Sequence, residues 1–430
     1  MGQPPDDDVD ERAAAPGDAA GGEPNADDEG RDDDGPAGTA DIHVPHVHSH
    51  SHAADGLVTS EPVRRALWIT TAVVGVLTLV GVLLLWPGDS EGLSDPLLLD
   101  ADPIPADVIT SDVVPCSYDA LLVCRLVGFE LRGGEEEGTI RAMEMSIDNR
   151  VQVGDGIYVL AYPGAEGELN YVFYEFQRGT PMLLLLVFFM AAVLLLGRWR
   201  GVGALAGLAA SLGVIVLFTL PSLLSGNDAV MVALVTASVI AFLALFLAHG
   251  FQVSTAVALL STFLSLALIV ALGWIFVIAT RLTGFSDEGL LLAGLGSGID
   301  ARGIVLAGLV IGSLGVLDDV TVTQVSAVWE LKRARPDLST ADLYRPVVRI
   351  GRDHISSTVN TLFLAYAGAA LPLLLLFTEA GQSVTSLLTR EVIAVEIVRA
   401  LVGSIGLVAS VPISTYMAAK VLTTSERLAT

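Results

Sequence analysis

Long apolar runs alternate with polar stretches along the chain. A helix needs about 20 apolar residues to cross the ~30 Å hydrocarbon core of a bilayer. Eight runs approach or exceed this length: Leu67–Trp86, Pro181–Gly197, Val202–Pro221, Ala229–His249, Val253–Thr280, Arg302–Glu330, Ile350–Thr378 and Ile393–Leu422. The pattern predicts an all-α polytopic membrane bundle of about eight transmembrane helices.

Basic residues mark the loops on one predicted side of these runs. Arg64 and Arg65 precede the first run, and Arg198, Lys332 and Arg345 lie in later loops of the same side. Because such residues accumulate in cytoplasmic loops, both termini are predicted to be cytoplasmic. The first run is longer than the core of a secretory signal and lies farther from the start, so we expect it to be a retained anchor.

The segment Leu290–Ile299 is apolar and rich in glycine, but it is too short to cross a bilayer. Segments of this length are typical of interfacial or re-entrant structure. We expect a half-helix or capping turn on the outer side, and the alternative is a simple extension of the helix that follows.

The polar insert between the first two membrane runs has the alternating pattern of β-strands. The predicted strands are Val108–Val114, Leu121–Leu131, Thr139–Ser146, Val151–Tyr162 and Tyr171–Phe176. Glycine, proline and charged residues separate them. The insert is therefore predicted to be a small β-rich extracytoplasmic domain, folded as a barrel or a sandwich.

Cys116 and Cys124 are the two cysteines of the chain, and both lie in this insert. A short spacing and an oxidising exterior favour a disulfide across a loop. Two reduced thiols are the alternative.

The acidic charge of the chain is concentrated near its start. The net charge is −25, and sixteen acidic residues stand between Asp6 and Glu61 with only two arginines. A segment with so few large apolar side chains cannot offset its conformational entropy by burial. The predicted organisation is a disordered tail (1–62), a first transmembrane helix (63–86), the β-rich domain (87–180) and a seven-helix membrane domain (181–424).

Five histidines form a cluster within this tail. They are His43, His46, His48, His50 and His52. Imidazoles at this spacing on a flexible chain can gather around a divalent metal such as zinc, nickel or copper. The alternative is a solvated tail with adventitious metal affinity, and no other cofactor is expected.

An acidic pair, Asp318 and Asp319, interrupts the sixth apolar run. An ionised carboxylate at the centre of a bilayer costs roughly 3 kcal/mol on insertion scales, so it usually faces protein or water. Small and polar residues share one helical face with Asp319: Gly308, Gly312, Gly315, Thr323, Ser326 and Glu330. Such a face predicts close helix packing at the glycines and a proton or cation site at the acids. The alternative is a packing stripe with one structural Asp.

A second polar cluster opens the seventh run. Arg352, Asp353 and His354 stand at the predicted cytoplasmic mouth, and Ser357 and Asn360 follow them inward. Counting from the basic end of the sixth run places Asp319 about 20 Å deep, at 1.5 Å per residue. These residues therefore predict an inner gate and a deeper binding point. An interfacial ion pair that anchors a helix end is the alternative.

The motifs of several enzyme classes are missing from the sequence. It contains no Walker loop, no dinucleotide-binding fingerprint and no H-E-x-x-H motif. Leu295 stands where an intramembrane serine protease would have the first glycine of its G-x-S-G turn. We therefore expect neither an enzyme nor a nucleic-acid partner.

Two long blocks resemble the YibE/F family of bacterial multi-span membrane proteins. The first is SLGVLDDVTVTQVSAVWEL (Ser313–Leu331), and the second is RIGRDHISSTVNTLFLAYAGAALPLLLLF (Arg349–Phe377). The resemblance extends from about Arg64 to Thr424. It implies an integral protein of the bacterial plasma membrane, of transport type, and names no substrate.

The residues and the resemblance together favour a secondary transporter or permease that moves a small solute or ion across the lipid bilayer. In this interpretation Asp319 and Asp318 couple transport to an ion or proton, and Thr323, Asn360 and Ser357 line the path. The alternative is a non-transporting scaffold or sensor whose β-rich domain binds a partner. The sequence is also compatible with a homo-oligomer.

Overall fold

The computed structural model describes residues 59–88, 102–117, 119, 121–164, 168–284, 300–379, 381 and 383–429. The histidine cluster of the tail and the short apolar segment Leu290–Ile299 lie outside the described residues, so the predictions made for them stay predictions.

Apolar helices make up most of the described chain. They are α1 (Glu61–Leu84), α2 (Gly179–Trp199), α3 (Gly201–Leu224), α4 (Ala229–His249), α5 (Val253–Ala279), α6 (Ala301–Ala334), α7 (Thr340–Ala369), α8 (Leu371–Glu379), α9 (Val384–Leu388) and α10 (Glu391–Ala429). Seven of them are long and apolar enough to cross a membrane, and the bent pair α7 and α8 forms an eighth candidate span. This agrees with the predicted bundle of about eight spans.

The seventh span differs from the predicted straight run Ile350–Thr378. Ser339 caps α7 by accepting a hydrogen bond from the backbone of Asp342, so the helix begins well before the apolar run. Pro372, in the first turn of α8, cannot donate a backbone hydrogen bond, and the axis bends by 56° at this break. Hydropathy missed the start of α7 because that part of the helix is amphipathic.

Contacts between helix ends place them on two sides of the bundle. The Asn227 side chain donates to the carbonyl of Leu85, and the Glu391 carboxylate accepts from the backbone of Gly284. These residues lie on the side where α1 leads to the β-strands, which we call the β-domain side. On the opposite side, the hydroxyls of Thr340 and Thr423 meet at 2.6 Å.

The core of the bundle lies where α4, α5 and α10 pack around α6. Glycines allow the closest approaches, since a Cβ at Gly273 would overlap Leu309 and one at Gly406 would overlap Ile269. In contrast, α2 has no buried residue in its most apolar 18-residue segment, which we call the apolar window of a helix. The bundle is therefore built on α5, α6 and α10, with α2 outside it.

The polar insert forms one antiparallel sheet rather than a closed barrel or a sandwich. Its strands are β1 (Ile104–Pro115), β2 (Val123–Leu131), β3 (Ile140–Ser146), β4 (Gly156–Pro163) and β5 (Leu169–Phe176). They lie in the order β3-β2-β1-β4-β5, and the edge strands β3 and β5 contact each other without ladder hydrogen bonds. The five strands match the predicted segments, and the predicted Cys116–Cys124 disulfide is confirmed, at the end of the β1–β2 hairpin.

A side-chain cluster links the loop after β2 to the far edge of the sheet. Tyr171 donates to the Glu136 carboxylate at 2.8 Å, and Arg141 donates to both of its oxygens. The Tyr171 hydroxyl and the Arg141 guanidinium hold the pKa of Glu136 below its ordinary value. The cluster brings β5 towards the β2–β3 loop and so contributes to the curl of the sheet.

Gly351 of α7 and Gly315 of α6 have opposite surroundings. A Cβ at Gly351 would lie 2.5 Å from Cγ1 of Val411 and 2.9 Å from Oε1 of Gln324. A Cβ at Gly315 would meet nothing within 4 Å. Gly351 is therefore required for the contact of α7 with α6 and α10, whereas Gly315 is not required by packing within the described chain.

We predict that Gly351→Ala destabilises the bundle by about 1–3 kcal/mol, the usual cost of overpacking a filled site. The matched variant Gly315→Ala should be neutral or gain up to about 1 kcal/mol, because alanine is the better helix former. Thermal unfolding of both variants in detergent provides the comparison. Equal melting temperatures would contradict the packing assigned to Gly351.

Candidate functional site

One face of α6 stays open although the rest of the helix is enclosed. We call this face the α6 stripe, and it consists of Gly308, Gly312, Gly315, Asp319, Thr323, Ser326 and Glu330. All of these except the half-buried Gly308 are exposed. Half of the apolar window of α6 is buried, which is the largest share among the candidate spans. The stripe is thus a gap in the best-packed helix of the bundle.

Asp319 meets His354 of α7 across this gap. Their closest side-chain atoms, Oδ2 and Nε2, are 3.9 Å apart, and the side chains are 72% and 42% exposed. Each residue lies about 21–23 Å from the helix end on the side opposite the β-domain, at 1.5 Å per residue. His354 therefore lies level with Asp319 along the bundle, because α7 begins at Thr340 rather than at the apolar run.

The two acids of α6 have different surroundings. Asp319 is mostly exposed, whereas Oδ1 of Asp318 is buried and finds no hydrogen-bond donor among the described residues. Neighbouring residues are about 100° apart on a helix, so Asp318 faces the side of α6 next to the stripe. An unpaired buried carboxylate oxygen is costly and is more often found at functional sites than elsewhere. The predicted burial of an acid thus applies to Asp318 and not to Asp319.

The remaining predicted site residues are exposed. Thr323 donates its hydroxyl to the backbone oxygen of Asp319 at 2.8 Å. The α7 residues Arg352, Asp353, Ser357 and Asn360 are exposed as well. Within the described part of the chain, neither Arg352 nor Asp353 makes an ion pair. Of the predicted gate residues, the structure therefore brings only His354 to the acid of α6.

The stripe begins, towards the β-domain side, beside an ion pair that sequence reasoning missed. Arg399 donates to Glu396 at 2.5 Å within α10, and a Cβ at Gly308 would lie 3.1 Å from its Nη2. Likewise, a Cβ at Gly312 would lie 3.4 Å from the hydroxyl of Tyr366. These two glycines leave room for polar side chains rather than for a helix backbone. The signal in the sequence was an acid and a base three residues apart inside an apolar run.

At the end farther from the β-domain side, the stripe opens into a cavity of about 750 Å³. The cavity lies between α3, the turn from α4 to α5, and α6. Its polar and aromatic lining includes His249, Gln252, Thr255, Ser326, Trp329 and Glu330. Because Ser326 and Glu330 also belong to the stripe, a face of small and polar residues continues from the Arg399–Glu396 pair to this cavity.

Buried hydrogen bonds on the other faces of α6 fix its rotation. The hydroxyls of Thr321 and Thr262 meet at 2.8 Å, which joins α6 to α5. Thr415 of α10 donates to Oε1 of Gln324 at 3.0 Å. Such bonds are strong where water is excluded, and breaking them leaves unsatisfied polar atoms. The bonds from Thr321 to Thr262 and from Thr415 to Gln324 hold α6 in the rotation in which the stripe lies on the exposed side of the helix.

A comparison with family models adds the identity of this region. Residues 185–424, more than half of the chain, match the model of the YibE/F-like protein family, and this range contains the whole α6 stripe. The β-strands lie before the matched range. No curated protein and no solved structure matches the chain. The resemblance of the blocks Ser313–Leu331 and Arg349–Phe377 to this family is thereby confirmed. The chain belongs to the YibE/F-like family.

Proposed function

We propose that this protein is a secondary transporter or permease of the bacterial plasma membrane, and that its solute path follows the α6 stripe. The observation that carries the proposal is the face of small and polar α6 residues that extends from the Arg399–Glu396 pair to the 750 Å³ cavity. A carboxylate at membrane depth costs roughly 3 kcal/mol or more in hydrocarbon, so the surroundings of Asp319 must be water or protein.

Asp319 and His354 form the centre of the proposed path. A carboxylate and an imidazole 3.9 Å apart lie beyond direct hydrogen-bond distance, and together they could bind a cation or a bridging water between them. Ser357 and Asn360 of α7, which are both exposed, would supply further polar atoms to the path, and Asp318 would supply a second acid behind Asp319. The solute would enter from the cytoplasmic side, past Arg352 and Asp353, with both termini of the chain on that side.

A membrane scaffold or sensor is the second candidate function. The same stripe supports it, because Gly315 leaves open space beside α6 and small residues let a helix of another chain approach closely. In this alternative a second copy of the chain covers Asp319, and no solute passes. The two candidates therefore differ in what touches the stripe, which is water in the first and protein in the second.

We predict that the stripe is wet in a bilayer. In lipid nanodiscs, a charged thiol reagent should modify Thr323→Cys much faster than Leu185→Cys. Leu185, on α2, is 69% exposed and serves as the control that faces lipid. The native cysteines form a disulfide and give no background. If Thr323→Cys is unreactive, or if it links two copies of the chain by a disulfide, the water-filled path is excluded and the scaffold is favoured.

We predict that Asp319→Asn abolishes coupled ion flux and leaves the melting temperature unchanged, because the amide keeps the shape but cannot carry the charge. The assay uses liposomes that contain a proton or sodium indicator, with a potassium diffusion potential as driving force. Asp337→Asn is the control, since Asp337 pairs with Arg335 on the surface, away from the stripe. Normal flux in Asp319→Asn, or a defect explained by misfolding alone, contradicts the role of Asp319.

A further inference from the structure

The strand register shows which end of the β-sheet leads into α2. β5 ends at Phe176, and α2 begins three residues later. At this exit the backbone N–H of Gln177 donates to Gly156, which pairs with Asp107 of β1. β1 and β5 are both antiparallel to β4, so they run in the same direction. The end of β1 therefore points to the side on which β5 enters the membrane helix.

The β1–β2 hairpin extends well beyond this exit level. From Asp107, β1 continues for eight residues to Pro115, still paired with β2. At about 3.3 Å per residue the tip lies roughly 26 Å past the level at which β5 leaves the sheet. A hairpin that projects this far past the point where the chain leaves for α2 is long enough to reach the membrane surface.

The hairpin tip carries apolar side chains at this position. Leu121 is 92% exposed, Val113 is 56% exposed and Val123 is 51% exposed. Two acidic residues, Asp112 and Asp119, are exposed beside them. Attraction to anionic lipid therefore does not hold the tip at the membrane, and burial of apolar surface is the force that remains.

We propose that the tip of the β1–β2 hairpin inserts into the interfacial region of the leaflet from which α2 enters the membrane. The Cys116–Cys124 disulfide closes the hairpin directly behind Leu121 and Val123. It restricts the tip to few conformations, so little entropy is lost when the tip enters the lipid. The β-domain is thus attached to the bilayer at a third point besides α1 and α2. This inference does not depend on whether the protein transports a solute.

The test uses the full-length protein in lipid vesicles that contain a photoreactive diazirine on the lipid tails, followed by peptide mass spectrometry. Ile140 is the matched control, because it is 66% exposed but pairs with Glu130 at the level of the β5 exit, roughly 26 Å back along the strands from the tip. Labelling of Leu121 and Val123 should exceed that of Ile140 severalfold and approach that of Leu185 on α2.

A second variant separates insertion from loss of folding. Leu121→Asp should reduce labelling of the tip and leave labelling of α2 and the melting temperature unchanged. The proposal is overturned if the tip of the parent protein is labelled no more than Ile140. It is equally overturned if Leu121→Asp leaves tip labelling unchanged, or if the parent tip cross-links to a second copy of the chain instead of lipid.

Discussion

The rotation of α6 about its own axis is the constraint on which the arrangement of the membrane domain depends. Buried leucines on one side and the bonds to Thr262 and Thr415 on the others leave a single face outside the core. A rotation of 100° would exchange Asp319 with Asp318 and break both bonds. The position of every polar group in the stripe therefore follows from contacts on the buried sides of the helix.

Much of the fold is readable in the sequence because it rests on local patterns. The spans follow from hydropathy, the five strands from alternation, and the disulfide from the position of Cys116 and Cys124 in a short polar insert. Each signal is carried by neighbouring residues, and the structure changes the bounds of these elements by at most seven residues, except at α7, which begins ten residues before the predicted run. The open sheet was missed because closure depends on contacts between strands far apart in sequence.

The candidate site was less predictable because it depends on how helices face each other. The sequence identified the stripe and the acid pair, but the meeting of Asp319 with His354 depends on where α7 starts. The roles of the glycines were also reversed. Gly273 and Gly406, which stood in no recognised motif, allow close helix packing, whereas Gly308 lies beside the guanidinium of Arg399.

The isolation of α2 has a mechanical consequence. This helix buries no residue of its apolar window, and it joins α3 through a tight reversal at Arg198, whose φ angle is 51°. A helix that is joined to the protein at its two ends but buries none of these residues can tilt in the lipid at little cost to the bundle. A displacement of the β-domain would thus tilt α2 about the break at Arg198. After Arg198 the chain continues as α3, where Ala204 forms part of the wall of the 750 Å³ cavity, so this tilt would reach the cavity wall.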